Sequence, residues 1–345
     1  MQRRALLASL GSLSVAGCIS GGDSGRSQTT RTTRRTQSTS LPSPTTESST
    51  KTDRPTTTAA DPPENVGIAP TDSDCPAPEN ADRVVCAGET DLNDAPLPFS
   101  ASTTSGSLPE ATFKFTLRNR SAARFDINFY AWRMWKRVNG EWFHVAPRGW
   151  PQPLMMMRPG DSHSWSVTLE RDLPNPGMAR CCSGGGTKGG TLGGFGGGEY
   201  AFLTDGWFAG DSGRRIALVA RFELAGDPLV LEPAKIETWA REGDTVTVRS
   251  GYDDGDGEMA TLVVTRTDAD PDRTLIPEQA VRDYRLRNTL PFFDDGVRQV
   301  RFRQREGTVP PFGVNDSFVV VYGGERFRVS VESDSEKTTS DESPE

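Results

Sequence analysis

Histidine and lysine are scarce in this chain. It has two His and, among 39 basic residues, only six Lys in 345 positions. Any histidine chemistry must therefore use His144 or His163. Apolar residues make up 34%, below the about 45–50% of ordinary globular chains, a figure that also counts glycine. Such a composition excludes a membrane-spanning bundle and a heptad rod. The longest weakly apolar stretch, Ala5 to Ala16, has 12 residues, well short of the ~20 needed to cross a bilayer as a helix. Positive charge is also deficient, and the net charge is −8. Eight basic and five acidic groups precede residue 65, so the remainder is more acidic than the whole. An acidic body repels a phosphate backbone, which argues against nucleic acid as a partner. Arg-rich, Lys-poor, acidic surfaces suit a salt-rich environment, although a GC-rich genome alone would also favour arginine.

What is present at the N-terminus reads as an address. The chain opens MQRRALLASLGSLSVAGC. Arg3 and Arg4 form a positive region before the short apolar stretch, and the pair fits a twin-arginine export signal. Val15-Ala16-Gly17-Cys18 resembles the lipobox of exported lipoproteins. That resemblance implies cleavage after residue 17 and lipid on the Cys18 thiol. The whole pattern is similar to lipoproteins of halophilic archaea, and it implies a chain held on the extracellular face of the cell membrane. Residues 18–64 are rich in Thr, Ser, Pro and Arg and show no apolar period. Such a segment cannot offset its ordering entropy by burial, so a disordered tether is expected. As a coil it would span roughly 40 Å. Its arginines either meet anionic headgroups or are solvated linker charge. Residues 333–345 are acidic and read as a disordered tail.

Residues 75–227 read as strand after strand. Phe113, Phe115 and Leu117 alternate with polar residues, as do Trp165, Val167 and Leu169, and Ile216 to Leu224 repeat the pattern. Period-two alternation predicts half-buried strands near 82–87, 112–119, 125–136, 141–146, 163–169, 199–204 and 215–224. Asn139-Gly140 predicts a tight hairpin, and Pro159-Gly160 another turn. Seven short strands predict a two-sheet sandwich. The series FTLRNRSAARFDI, NGEWFHV, MMRPGDSHSWSVTL, GEYAFL and ALVARFEL resembles a bacterial immunoglobulin-like domain of exported proteins. The likeness covers about 120 residues and implies an Ig-like β-sandwich without catalytic residues. The prefix holding Cys75 and Cys86 is extra to that plan. So is the stretch 184–198, with ten Gly, which reads as a flexible insertion. Residues 228–332 predict a smaller β-rich or α+β domain. Its strands are expected at 245–249, 259–267 and within VRQVRFRQ, SFVVVY and ERFRVSVE, with a helix from Ile276 to Leu286. The fold class is thus mainly β.

The candidate sites are few. Outside the cell, disulfides are the default use of cysteine. Cys75, Cys86, Cys181 and Cys182 allow three pairings, of which Cys75–Cys86 and a cross-link to the 181–182 segment lead. Asn119 and Asn315 open N-glycosylation sequons. Gly210-Asp211-Ser212-Gly213 spells the tetrad around a trypsin-like nucleophile, with His144, His163 and Asp172 upstream. The same letters recur at Gly22-Asp23-Ser24-Gly25 inside the tether, so the tetrad reads better as a turn. His144 and His163 offer a metal pair only if their strands are neighbours. Lys188 is followed by glycines, not by a helix start, so the glycine run is no phosphate loop. The run Asp253 to Glu258 lacks the spacing of an EF-hand. Seven Trp raise the prospect of an exposed aromatic surface for a sugar or protein. The expectation is a lipid-anchored surface protein with non-catalytic binding or structural modules. It has no cofactor or metal, and a cell-surface protein or glycan as partner. A solute-binding lipoprotein and a secreted hydrolase are the alternatives.

Overall fold

Alternating apolar residues organise this molecule into sheets. The computed structural model describes residues 60–63, 74–89, 95–172, 186–211, 213–252, 257–305, 312 and 317–332. All of them fall in one compact unit, Thr57–Glu345. Among the described residues, β1 (Arg83–Cys86), β2 (Phe99–Ala101), β3 (Ser105–Ser107) and β4 (Glu110–Arg118) come first. Then follow β5 (Phe125–Ile127), β6 (Arg133–Val138), β7 (Glu141–Ala146), β8 (Met155–Met157) and β9 (Ser162–Glu170). β10 (Gly189–Leu192), β11 (Gly198–Phe208) and β12 (Ile216–Ala225) complete the first half. One sheet of eight strands runs β1-β12-β11-β5-β8, with β3 joined to β12, β6 to β11 and β7 to β6. A second sheet runs β10-β9-β4-β2.

The core lies between these two sheets. Phe113, Phe115, Trp165 and Val167 from the smaller sheet are buried with Tyr200, Phe202 and Phe222 from the larger one and with Trp132 just before β6. Ring centroids of Phe115 and Phe202 are 4.1 Å apart, and those of Phe113 and Phe222 4.2 Å. Each such side chain contributes about 1.5–3 kcal/mol of burial. β11 is buried on both faces along most of its length. Its second face, with Ala201 and Leu203, joins Ala217 and Val219 under the segment closed by Cys75 and Cys86.

Two expectations need correction here. The predicted strand 125–136 is two strands. Asn128 breaks it, because its Oδ1 accepts the Tyr130 N–H and its Nδ2 donates to the Pro151 carbonyl, folding a turn on the side chain. The described part of the glycine-rich stretch is not a loose insertion. β10 pairs in parallel with β9, from Gly189 opposite Ser166 to Leu192 opposite Leu169. Glycine is what permits the approach: Gly189 has φ +98°, and a Cβ there would lie 2.1 Å from the Ser166 carbonyl oxygen. Asn139 and Gly140 take φ +51° and +86° in the β6–β7 hairpin, as the tight turn requires.

The second half is a seven-stranded sheet. It contains β13 (Ile236–Glu242), β14 (Thr245–Ser250), β15 (Met259–Arg266), β16 (Arg273–Thr274), β17 (Gln299–Arg305), β18 (Phe318–Tyr322) and β19 (Glu325–Glu332). Their order is β13-β14-β17-β15-β19-β18-β16. Val248, Leu262, Val264, Phe302 and Val329 form its inner face. The expected helix is two single turns, α1 (Pro277–Ala280) and α2 (Tyr284–Arg287). Asp283 accounts for the split, since its side chain accepts from the Arg285 and Leu286 N–H groups and starts a new helix.

α1 also joins the two cores. Ile276 belongs to the first core and Ala280 to the second. Around α1 lies a buried polar junction. Lys136 Nζ donates to Glu278 Oε1 at 2.5 Å. Arg282 donates to the carbonyls of Gly193, Gly194 and Glu278. Its guanidinium lies 4.6 Å from the Phe195 ring centroid. Gln279 Nε2 donates to the His144 carbonyl at 2.9 Å.

Candidate functional site

Period-two geometry sets which residues share a face. On β11, Tyr200 and Phe202 point into the aromatic core, so Leu203, Asp205 and Trp207 point the other way. Arg133 stands opposite Leu203 on β6, and Ala217 opposite Asp205 on β12. Arg215, two residues before Ala217, shares that outer face. Four side chains thus converge: Arg133 of β6, Asp205 and Trp207 of β11, and Arg215 just before β12.

They line a cleft of about 430 Å³, closed on its other side by the segment that carries Trp150, Gln152 and Leu154. The Asp205 side chain is 6% exposed and is gripped by two guanidiniums. Arg133 Nη2 donates to Oδ1, and Arg215 Nη1 donates to Oδ2. Two arginines on one carboxylate leave one net positive charge. The Arg133 side chain is 11% exposed and that of Arg215 37%. Burial lowers the pKa of Arg133, the Asp205 charge opposes that shift, and Arg215 adds to it. Arg133 Nε is buried and has no hydrogen-bond partner among the described residues. Each arginine also stacks on an indole. The Arg133 guanidinium is 5.5 Å from the Trp150 ring centroid, and that of Arg215 is 5.1 Å from the Trp207 ring. Asn80 and Gln152 bring exposed amides to the rim. The described lining contains no His, Ser or Cys. Each Asp205 oxygen accepts from a guanidinium. This arrangement can bind, and it offers no nucleophile–base pair.

The residues singled out in the sequence are scattered. Cys75 and Cys86 are joined by a disulfide, with 6.1 Å between Cα atoms. With Glu89 they also form the one described group close enough to hold a metal, but a disulfide offers no thiolate ligand. Cys18, Cys181, Cys182, Ser212, Asn315 and the run 253–256 lie outside the described residues. Asn119 corrects the glycosylation expectation. It is fully buried, its Nδ2 donates to the carbonyls of Ala123 and Met157, and its Oδ1 accepts from Ser121. In the fold that amide is committed to a turn and is not presented to a glycan.

His144 and His163 stand in different sheets, on β7 and β9, so they are not cross-strand neighbours. His163 stacks on Phe129 at 3.7 Å, and its Nε2 lies 2.5 Å from the Thr187 carbonyl. His144 packs against Trp135. Burial first, and Arg133 second, depress its pKa to about 4. Asp211 pairs with Arg214 in the turn between β11 and β12. That is the turn placement expected for the Gly-Asp-Ser-Gly tetrad. Trp132 and Trp165 are core residues, whereas Trp239 is 58% exposed.

Sequence reasoning missed the cleft. Its signal was present in LTDGWF, where an aspartate and a tryptophan two apart must share a face. The arginines come from other strands, and their arrival depends on register.

Among the described residues no helix is long and apolar enough to cross a membrane. No family model matches the chain, and no curated protein matches it.

Proposed function

We propose that this chain is a lipid-anchored protein of the extracellular cell surface, carrying two non-catalytic β modules on a polar tether. The observation that carries this reading is the opening MQRRALLASLGSLSVAGC, with paired arginines, a short apolar stretch and a small-residue run before Cys18. The Cys75–Cys86 disulfide supports an oxidising compartment. The acidic, Arg-rich composition supports a salt-rich exterior. Two facing antiparallel-rich sheets support the Ig-like reading of residues 75–227. The tether, residues 18–64, sets the modules away from the membrane. The function is then display, with the modules meeting a glycan or protein of the envelope.

The test is intact mass and peptide mapping of protein extracted from its native membrane, with a Cys18→Ala variant beside it. A chain beginning at a lipid-modified Cys18, and release of the variant into the medium, are expected. A chain that keeps Met1 and carries no lipid would overturn the reading.

A further inference from the structure

We infer that the cleft between Trp150 and Trp207 binds an acidic saccharide, a hexuronate unit whose carboxylate meets Arg133 and Arg215. The inference deepens the display reading and rests on it for the polymer's presence at the cell surface. Its chemistry comes from the cleft itself.

Charge decides the first half of the ligand. Two guanidiniums share one aspartate, so the cleft holds a surplus positive charge on a body that is otherwise acidic. Each arginine gives only part of its five-donor fork to Asp205. The Arg215 side chain is 37% exposed, which leaves its remaining N–H groups within reach of a ligand. Carboxylates and phosphates both fit a guanidinium fork, and of the two the carboxylate is the anion that a pyranose carries on its own carbon skeleton. Asp205 fixes both forks before any ligand arrives, which reduces the ordering cost of binding.

Shape decides the second half. Two indoles wall a cleft of about 430 Å³, within the range of small-molecule sites. The negative face of an indole suits the weakly positive C–H face of a pyranose ring. The stacked guanidiniums hold both indoles in place. Exposed amides of Asn80 and Gln152 at the rim suit ring hydroxyls. An acidic peptide would satisfy the arginines but leave the indole walls without a ring to cover them.

The experiment is a titration of the full chain, followed by indole fluorescence and calorimetry at fixed salt. The probes are a digalacturonate, a glucuronate-containing disaccharide, the neutral galactose disaccharide, acetate and a glutamate-rich peptide. Saturable binding of at least one uronate is expected, at least about tenfold tighter than the neutral sugar, which lacks the charge-assisted hydrogen bond, and than acetate, which lacks the ring that covers the indoles. Arg215→Gln weakens it by about tenfold or more, and Trp150→Ala by about three- to tenfold. Trp239→Ala, far from the cleft in sequence and on another sheet, leaves it unchanged. Both cleft variants alter partly exposed side chains, and far-ultraviolet dichroism confirms that they fold. Equal affinity for neutral and acidic sugars overturns the inference. So does peptide or acetate binding as tight as uronate binding, uronate binding indifferent to Arg215→Gln and Trp150→Ala, or no binding of either uronate. Failure here with a lipid-modified Cys18 removes the ligand class and leaves the display reading standing. Uronate binding by a chain without lipid does the reverse.

Discussion

Removing the Glu278 carboxylate should weaken the junction between the two cores more than any other single charge deletion at α1. Its side chain is 1% exposed, and that of its partner Lys136 is 9% exposed. Oε1 accepts from Lys136 Nζ at 2.5 Å and from the Gly196 N–H at 3.2 Å. The Tyr200 hydroxyl lies 3.3 Å away but is closer to the Gly196 carbonyl, at 2.7 Å. Burial and the neighbouring Glu278 charge raise the Tyr200 pKa, so that proton stays on. Glu278→Ala leaves the buried Lys136 ammonium unpaired, and it orphans the Gly196 N–H. Breaking a buried pair on one side costs about 3–5 kcal/mol, and the lost N–H partner lies within that sum. Against a domain stability of about 5–15 kcal/mol, the loss is large. Lys136→Met should cost as much, because it strands the carboxylate instead. The double variant Lys136→Met/Glu278→Leu should regain most of the loss, since apolar replacement of both partners is often neutral. Urea unfolding of the parent, Lys136→Met, Glu278→Leu and their combination closes the double-mutant cycle. Because the pair is buried, the single-variant cost should change little between about 0.1 M and about 1 M salt. A cost below about 1 kcal/mol for Glu278→Ala, or a double variant as weak as either single one, would refute the assignment.

Three further outcomes follow from burial and backbone geometry. The folded-state pKa of His144, about 4, lies below its ordinary 6.5, so the fold gains nothing from it above pH 6.5. As pH falls from 6.5 towards 4 the unfolded chain takes up a proton that the fold refuses, and about 2–3 kcal/mol is lost. His144→Phe should flatten that part of a stability–pH curve relative to the parent. Asn119→Ala should cost about 1–3 kcal/mol by removing the amide that donates to the Met157 and Ala123 carbonyls, of which Ala123 keeps the Ser121 hydroxyl as a donor, and peptide mapping of the parent should find Asn119 unmodified. Gly189→Ala should break the β9–β10 pairing at a cost of about 1–3 kcal/mol, read as faster amide exchange over residues 189–192.

The strands that were legible in the sequence are those with one wet face. β4, β9 and β14 alternate apolar and polar residues, and the structure keeps them within a residue or two of the expected ends. β7 matches over its full length because Asn139-Gly140 sets its start. What escaped has a common physical cause. β2, β3 and β8 are three residues each, too short to show a period. β10 is built on glycines, whose fitness for a close approach to Ser166 is invisible without the neighbour. β13 has exposed side chains that show no alternation. The junction was equally hidden, since Lys136 and Glu278 are 142 residues apart. The cleft needed the pairing of β6, β11 and β12 before its charges could be seen as a group.

β11 ties the candidate site to the fold in a way that limits how either can vary. Its inner positions, Tyr200 and Phe202, fill the aromatic core. Its outer positions, Asp205 and Trp207, meet the arginines of the neighbouring strands. A slip of one residue exchanges the two sets completely. Asp205 would then enter a layer of rings with no cation to meet it, and burying an unpaired carboxylate is among the costliest errors a core can contain. Phe202 would move to the outer face in the same step. The acidic residue that orients the arginines therefore also excludes the wrong register. A substitution such as Asp205→Leu removes the cleft's anchor and, in the same change, the penalty against misalignment. Its effect should appear as heterogeneous amide exchange along β11 and β12 as well as loss of the cleft.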